Sequence, residues 1–148
     1  MKRMFVVAGA LLLSVGAGVA QQDVANKTQA VMKATGKSLG GVLSPMVKGE
    51  KPYDQAAVDT ALAQLEDTAK KLPTMFPDSI KGLKIEGDYS SSPKVWEDKA
   101  GFAAKIESFA KVVTEAKAKI KDLDSLKANV PAIGKECGAC HETFRLKI

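Results

Sequence analysis

Apolar residues after position 20 recur at alternating spacings of three and four, as they do in helices that bury one face. Four such stripes follow one another along the chain, with polar or proline-containing segments between them. The stripes consist of Ala25, Thr28, Met32, Thr35, Leu39, Val42 and Met46, then Val58, Leu62, Leu65, Ala69 and Leu72, then Phe102, Ile106, Phe109, Val113, Ala116 and Ile120, and finally Leu126, Val130, Ile133, Cys137, Cys140 and Phe144.

The connections between the stripes indicate how the helices are arranged. Those near residues 49–53 and 121–124 are short, which favours antiparallel packing of the helices they join. The connection from Pro73 to Ser92 is long, so we expect it to run over the surface between two helical hairpins. The predicted fold is all-α, an antiparallel up-down-up-down four-helix bundle.

Capping residues mark several helix boundaries. Asp54 is a favourable N-cap for the second helix, as is either Asp122 or Asp124 for the fourth. Ser92 followed by Pro93 predicts the start of the third helix, because serine favours the N-cap and proline the first helical position.

Two helices contain residues that weaken them. Gly36, Gly40 and Gly41 lower the helix propensity of the first helix, although they would allow close packing. Pro131 lies inside the fourth helix, where we expect a kink or a short preceding turn.

The first twenty residues have the layout of a secretory signal peptide. A basic tip precedes an apolar run from Phe5 to Val15, and small residues occupy the −3 and −1 positions before Gln21. An uncleaved membrane anchor is the alternative, but the run is short for a span and no second one follows. We therefore predict a signal peptide at residues 1–20, one domain at 21–148 and no membrane span in the mature chain.

Charge argues against nucleic-acid binding. The formal net charge falls from +5 to +3 when the two basic residues of the signal peptide are removed. The lysines are scattered and aromatic residues are few, so the lysines are expected to cover solvated helix faces.

Both cysteines and the single histidine occur in the segment ECGACHETFR, residues 136–145. On a helix, Cys137, Cys140 and His141 project from one face. Cys-x-x-Cys-His is the attachment signature of c-type haem, in which the thiols form thioethers with the vinyl groups and the histidine binds the iron. The sequence therefore predicts one covalently bound haem c.

Other uses of the two cysteines agree less well with the sequence. A disulfide between them would close a very short loop and stabilise little. A thioredoxin-like redox pair needs a βαβ context. A tetrahedral zinc site needs a fourth ligand, which only a carboxylate could supply here.

Four segments stand at the ends of the predicted helices: VKGEKPYD, LPTMFPDS, SSPKVW and CGACHETFR. Together they resemble the class II c-type cytochromes, the cytochrome c-prime family, over the whole mature chain. The resemblance is greatest to the low-spin branch, and it implies that KTQAVMKATG places Met32 at the position of the second iron ligand. Thr28 stands where many c-prime proteins have an arginine near the haem.

The level of Met32 in the bundle agrees with this implication. In an up-down-up-down bundle, the start of the first helix lies beside the end of the fourth. Met32 is about 12–14 Å from that start and His141 about 9–10 Å from that end. Met46 lies about 21 Å further along the first helix, so we expect Met46, like Met75, to fill apolar space only.

The sequence and the resemblance together predict a periplasmic single-electron carrier with His141 and Met32 as axial ligands and no enzymatic activity. Its expected partners are redox proteins, and a monomer or a homodimer is expected. A five-coordinate protein that binds NO or CO is the first alternative. A haem-free helical bundle that binds a metal or a partner protein is the second.

Overall fold

The computed structural model describes residues 14–83 and 89–147, and it confirms the all-α four-helix bundle. In chain order, the helices are α1 (Ser14–Gly36), α2 (Ser44–Val47), α3 (Gln55–Lys71), α4 (Lys94–Glu97), α5 (Lys99–Lys119) and α6 (Leu123–Phe144). The segment Lys37–Leu43 is π-helical, and Leu72–Thr74 and Asp78–Ile80 form 3₁₀ turns. Residues 1–13, most of the predicted signal peptide, lie outside the described residues. Among the helices that are described, none is long and apolar enough to cross a membrane.

The first helical segment of the bundle, residues 14–47, is not a uniform α-helix. The π-helical segment separates α1 from α2 and contains Gly40 and Gly41. A Cβ added at either glycine, or at Gly36, would meet no neighbouring atom within 4 Å. Close packing against another described part of the chain is therefore not the reason for these glycines. Their low helix propensity instead weakens the competing α-helical form, which is consistent with the wider turn.

Two of the predicted caps are confirmed. The Asp54 carboxylate accepts a hydrogen bond from the Ala57 amide at 3.1 Å at the start of α3. Asp122, rather than Asp124, caps α6 and forms a capping box with Ser125. The same helix is continuous through Pro131, so of the two expected alternatives, a kink or a short preceding turn, the separate turn is not formed.

A helix begins at the place predicted for the third helix, but it ends after one turn. The Ser92 hydroxyl accepts a hydrogen bond from the Lys94 amide at 3.3 Å, and the short α4 follows. The long helix α5 starts after Asp98, whose carboxylate accepts a hydrogen bond from the Gly101 amide at 2.8 Å. Two capping signals close together therefore produce two helices, where the sequence pattern predicts one.

Two short strands, β1 (Tyr89–Ser91) and β2 (Arg145–Lys147), are not predicted by the sequence pattern. They pair in antiparallel fashion, with Ser91 opposite Arg145. The Ser92 amide extends the pairing by donating a hydrogen bond to the Phe144 carbonyl at 3.0 Å. The pairing fastens the end of the long connection to the residues that follow the Cys-x-x-Cys-His segment.

Most buried apolar residues in the described part of the chain belong to one of two clusters. The main core combines residues of the π-helical segment, α2, α3, α5 and α6, and it includes Met46, which is only 4% exposed. Met46 is therefore a core residue, as predicted. Cys137 packs against this main core, whereas Cys140 packs against the second cluster. The buried members of that second cluster are Ile80, Val95, Trp96 and Phe144.

Candidate functional site

A cavity of about 630 Å³ is lined by members of both apolar clusters and by residues of α1, α3, α5, α6 and β1. Three aromatic rings form one wall. The ring centroid of Phe102 lies 5.2 Å from that of Phe76 and 5.0 Å from that of Phe144, both in edge-to-face geometry. The volume falls within the range of pockets that bind cofactors and other small molecules.

The three residues of the Cys-x-x-Cys-His signature lie on one turn of α6. Cys137, Cys140 and His141 all line the cavity, and all three are half-buried. The two thiols are not bonded to each other. Within residues 14–83 and 89–147, no group of three or more His, Cys, Asp or Glu side chains is arranged to hold a metal ion.

Burial affects the ionisation of all three side chains. It raises the pKa of the Cys137 thiol to about 11, and it also raises the pKa of Cys140. Burial lowers the pKa of His141, and the positive charge of Arg145 acts in the same direction. Near neutral pH both thiols are therefore protonated and the imidazole is neutral, which is the form in which histidine binds metals.

Met32 reaches the same cavity from the other end of the chain. Of the three methionines in the described part of the chain, only Met32 lines the cavity. Its side chain is half-buried on α1, and His141 lies on α6. Met75 follows the 3₁₀ turn after α3 and does not contribute to the lining. The structure thus brings together Met32, Cys137, Cys140 and His141, the four predicted site residues.

Thr28 also lines the cavity, but its hydroxyl is engaged with the backbone. The side chain is buried, and Oγ1 donates to the Val24 and Met75 carbonyls, each at 3.0 Å. Several polar residues of the lining carry no signal in the sequence, because they come from separate elements and have no characteristic spacing. These residues are Lys33, Ser90, Ser91 and Lys105.

The residues present fit a covalently attached haem. Two thiols and one imidazole face a single cavity at helical spacing, and the remaining lining is mostly apolar. An apolar surround of this kind controls solvent access and the dielectric around a metal centre.

Comparison with known proteins agrees with this fit. The family model described as cytochrome C' matches residues 23–145. Cytochrome c-556 of Rhodopseudomonas palustris is 57% identical over 148 residues, which is 99% of both chains. The chain belongs to the cytochrome c′ family. Cytochrome c-555 of Bradyrhizobium diazoefficiens is 43% identical and is covered to 99% of its length.

Solved structures of the cytochrome c′ family share the fold. An NMR-validated structural model of oxidized R. palustris cytochrome c556 matches with a TM-score of 0.76 and 57% identity, over 86% of this chain and 98% of that one. A nitric oxide complex of a cytochrome c prime variant from Alcaligenes xylosoxidans matches with a TM-score of 0.73 and 28% identity, over 86% and 97%. Family membership confirms the predicted class II resemblance, the covalent haem c and the function as an electron-carrier cytochrome.

Proposed function

We propose that this cytochrome is a periplasmic single-electron carrier whose haem c is attached to Cys137 and Cys140 and ligated by His141 and Met32. One observation supports it most strongly. Met32 of α1 and His141 of α6 line one cavity, while the other two methionines in the described residues lie elsewhere.

Each residue has a distinct role in this proposal. The thiols of Cys137 and Cys140 fix the cofactor on α6, and the neutral imidazole of His141 supplies the proximal nitrogen. The thioether of Met32 supplies the distal ligand, and a methionine ligand raises the reduction potential. When bound, the haem supplies an iron centre that exchanges one electron.

The same ligand set argues against catalysis. With Met32 and His141 as its two protein ligands, the iron would keep no open position for a substrate. His141 is the single histidine of the chain, so no second imidazole is available as a general acid or base. We therefore propose an electron carrier without enzymatic activity of its own.

Location and partners follow from the N-terminal sequence and the chemistry. The signal peptide predicted at residues 1–20 favours export to the periplasm. Redox proteins of that compartment would be the electron donor and acceptor, and either a monomer or a homodimer is compatible with this role.

A second candidate is a five-coordinate protein that binds NO or CO. The nitric oxide complex of the Alcaligenes xylosoxidans relative favours it, because that protein is 28% identical and has the same fold. In this case Met32 would pack in the cavity without binding the iron.

An absorption spectrum of the ferric protein, together with CO titration of the reduced protein, tests the two candidates. A low-spin spectrum and weak CO binding are expected for the carrier. A high-spin spectrum with ready CO binding would instead establish the five-coordinate protein.

A further inference from the structure

Two threonines flank Met32 on α1. Thr28 lies four residues before it and Thr35 three residues after it, so all three share one helix face. Both threonines are buried, at 8% and 9% exposure, and both line the cavity. A polar side chain at such a position needs a hydrogen-bond partner, and each hydroxyl has one outside α1.

Thr28 ties the start of this turn to the segment after α3. Its Oγ1 lies 3.0 Å from the Met75 carbonyl oxygen and 3.0 Å from the Val24 carbonyl oxygen of the preceding turn. The single hydroxyl hydrogen is shared between an intrahelical acceptor and one that is 47 residues away in the sequence.

Thr35 ties the end of the turn to α3 itself. Its Oγ1 lies 2.9 Å from Oγ1 of Thr68 and 2.8 Å from the Val31 carbonyl. The Gln64 amide donates to Thr68 at 3.4 Å. The Thr68 hydroxyl also lies 2.9 Å from the Gln64 carbonyl, and either threonine can be the donor in the bond between them. The two hydroxyls thus join α1 to α3, and that of Thr35 also reaches the carbonyl of the residue before Met32.

Of the described apolar side chains of α1, Ala25 is fully buried and Val24 packs against the second cluster, and both lie about two turns before Met32. The threonine bonds matter because they act at the Met32 turn itself. Among the described side chains, no α1 residue belongs to the main core, which begins with Leu43 at the end of the π-helical segment. That segment, with its exposed Gly40 and Gly41, stands between Met32 and the anchored Met46. Packing of α2 therefore does not by itself fix the height and rotation of the Met32 turn.

We propose that Thr28 and Thr35 are positioning residues that hold Met32 over the haem iron through their bonds to α3 and to the segment that follows it. The proposal rests on Met32 being the distal ligand. Loss of either bond lets the turn move and increases the fraction of molecules in which the sulfur is off the iron. CO binds the reduced protein only in that fraction, so its apparent affinity rises in proportion.

The test uses Thr28→Val, Thr35→Val and the double variant in the holoprotein. We expect each single variant to bind CO two- to tenfold more tightly, roughly the effect of one hydrogen bond. The double variant should show a greater effect and a measurable high-spin ferric fraction. Hydrogen exchange of the amides of residues 29–34 should accelerate in all three variants.

Matched controls separate positioning from general stability. Thr60→Val and Thr114→Val remove exposed hydroxyls that bond only to the carbonyl of the preceding turn, at 2.8 and 2.9 Å. They should leave the CO affinity unchanged. Thr28→Ser and Thr35→Ser retain the hydroxyl and should restore the parent CO affinity, and they keep the test valid if a valine variant does not fold.

The outcomes distinguish this proposal from the ligand assignment. If the parent is low-spin and Met32→Ala is high-spin, Met32 is the ligand. Valine variants that then keep the parent CO affinity, even with lower melting temperatures, overturn the positioning role. Serine variants as perturbed as the valine ones overturn it as well. A parent that is already high-spin overturns the ligand assignment and, with it, the positioning of a ligand.

Discussion

Met32 of α1 lines the haem cavity, whereas Met46 of α2, in the same N-terminal helical segment, is buried in the main core. We expect Met32→Ala to become predominantly high-spin and to bind CO readily when reduced, because no other methionine of residues 14–83 and 89–147 lines the cavity. Its reduction potential should fall, since a thioether stabilises the reduced iron. Absorption spectra and redox titration measure both effects.

Met46→Leu is the matched control for this substitution. The exchange nearly conserves volume and should cost less than about 1.5 kcal/mol of unfolding free energy. The spectrum and the CO affinity should stay those of the parent. An unchanged low-spin spectrum in Met32→Ala would show that the sulfur does not bind the iron.

Haem attachment is expected to require both cysteines and export. Cys137→Ala should retain at most one thioether and give a lower yield of holoprotein, because Cys140 remains the single thiol of the chain. A chain without residues 1–20 should accumulate as apoprotein in the cytoplasm. Mass spectrometry of each purified protein measures the adduct. A full haem adduct on the cytoplasmic chain would contradict the predicted export.

Removal of haem should destabilise the bundle. The cavity of about 630 Å³ is mostly lined by apolar side chains, which lose their buried environment when the cofactor is absent. A group bound only by the folded state also stabilises that state. We expect apoprotein to be less helical or to melt at a much lower temperature than holoprotein, as measured by circular dichroism. Equal melting curves would rule out this contribution.

A double-mutant cycle can test the cap of α5. A Cβ at Gly101 would lie 2.2 Å from Oδ2 of Asp98, so Gly101→Ala should displace the capping carboxylate. Loss of the cap lowers the free energy of unfolding by about 1 kcal/mol. The higher helix propensity of alanine raises it by up to about 1 kcal/mol. The single Gly101→Ala change should therefore be nearly neutral.

The same exchange should behave differently once the cap is gone. In an Asp98→Ala background there is no carboxylate to displace, so Gly101→Ala should stabilise by up to about 1 kcal/mol. Chemical denaturation of the parent, the two single variants and the double variant gives the coupling free energy between Asp98 and Gly101. Additive effects would mean that the carboxylate caps equally well beside alanine.

Glu66 links α3 to α5 and should contribute to the acid sensitivity of the fold. Its carboxylate accepts a hydrogen bond from Nζ of Lys117 at 2.6 Å and pairs with Lys70 at 3.3 Å. The bond to Lys117, followed by that to Lys70, lowers the pKa of Glu66 below its ordinary value of 4.5. The stabilisation is therefore present above the unfolded pKa and is lost as the pH falls through the lower folded pKa.

The corresponding measurement is chemical denaturation at a series of pH values. Glu66→Gln should lose less stability than the parent as the pH falls below about 4.5. Lys117→Met removes the first partner and should reduce the acid dependence in the same direction. If Glu66→Gln follows the parent across this range, the pair has no net effect on folding.

The elements that the sequence predicts best depend on contacts within one helix. The apolar stripes, the caps Asp54 and Asp122 and the common face of Cys137, Cys140 and His141 all follow from helical spacing. Met32 differs, because its place in the cavity depends on how α1 and α6 are arranged. The family resemblance, and its height along the bundle axis near that of His141, predict that Met32 lies at the site. The structure places Met32 in the cavity lining.

The features that the sequence does not predict depend on a choice between local helical conformations or on contacts between residues far apart in the sequence. The π-helical segment Lys37–Leu43 takes the place of an expected α-helix, and a second cap at Asp98 interrupts the expected third helix. The strands β1 and β2 have three residues each and exist only as a pair, so neither has a detectable period of its own. The Thr35–Thr68 bond joins two helices, and Thr35 stands in an apolar stripe while Thr68 stands beside one, so neither position shows a polar pattern.

The division of the interior into two clusters has a consequence for how the protein opens. Among the residues that the structure describes, the second cluster has only four buried members, and its rings also form the aromatic wall of the haem cavity. A small apolar cluster has low local stability, so it should open as a cooperative unit before the main core does. Amide hydrogens near Trp96 would then exchange with solvent faster than those of α3. Water would first reach the haem through the wall of the cavity that the aromatic rings form.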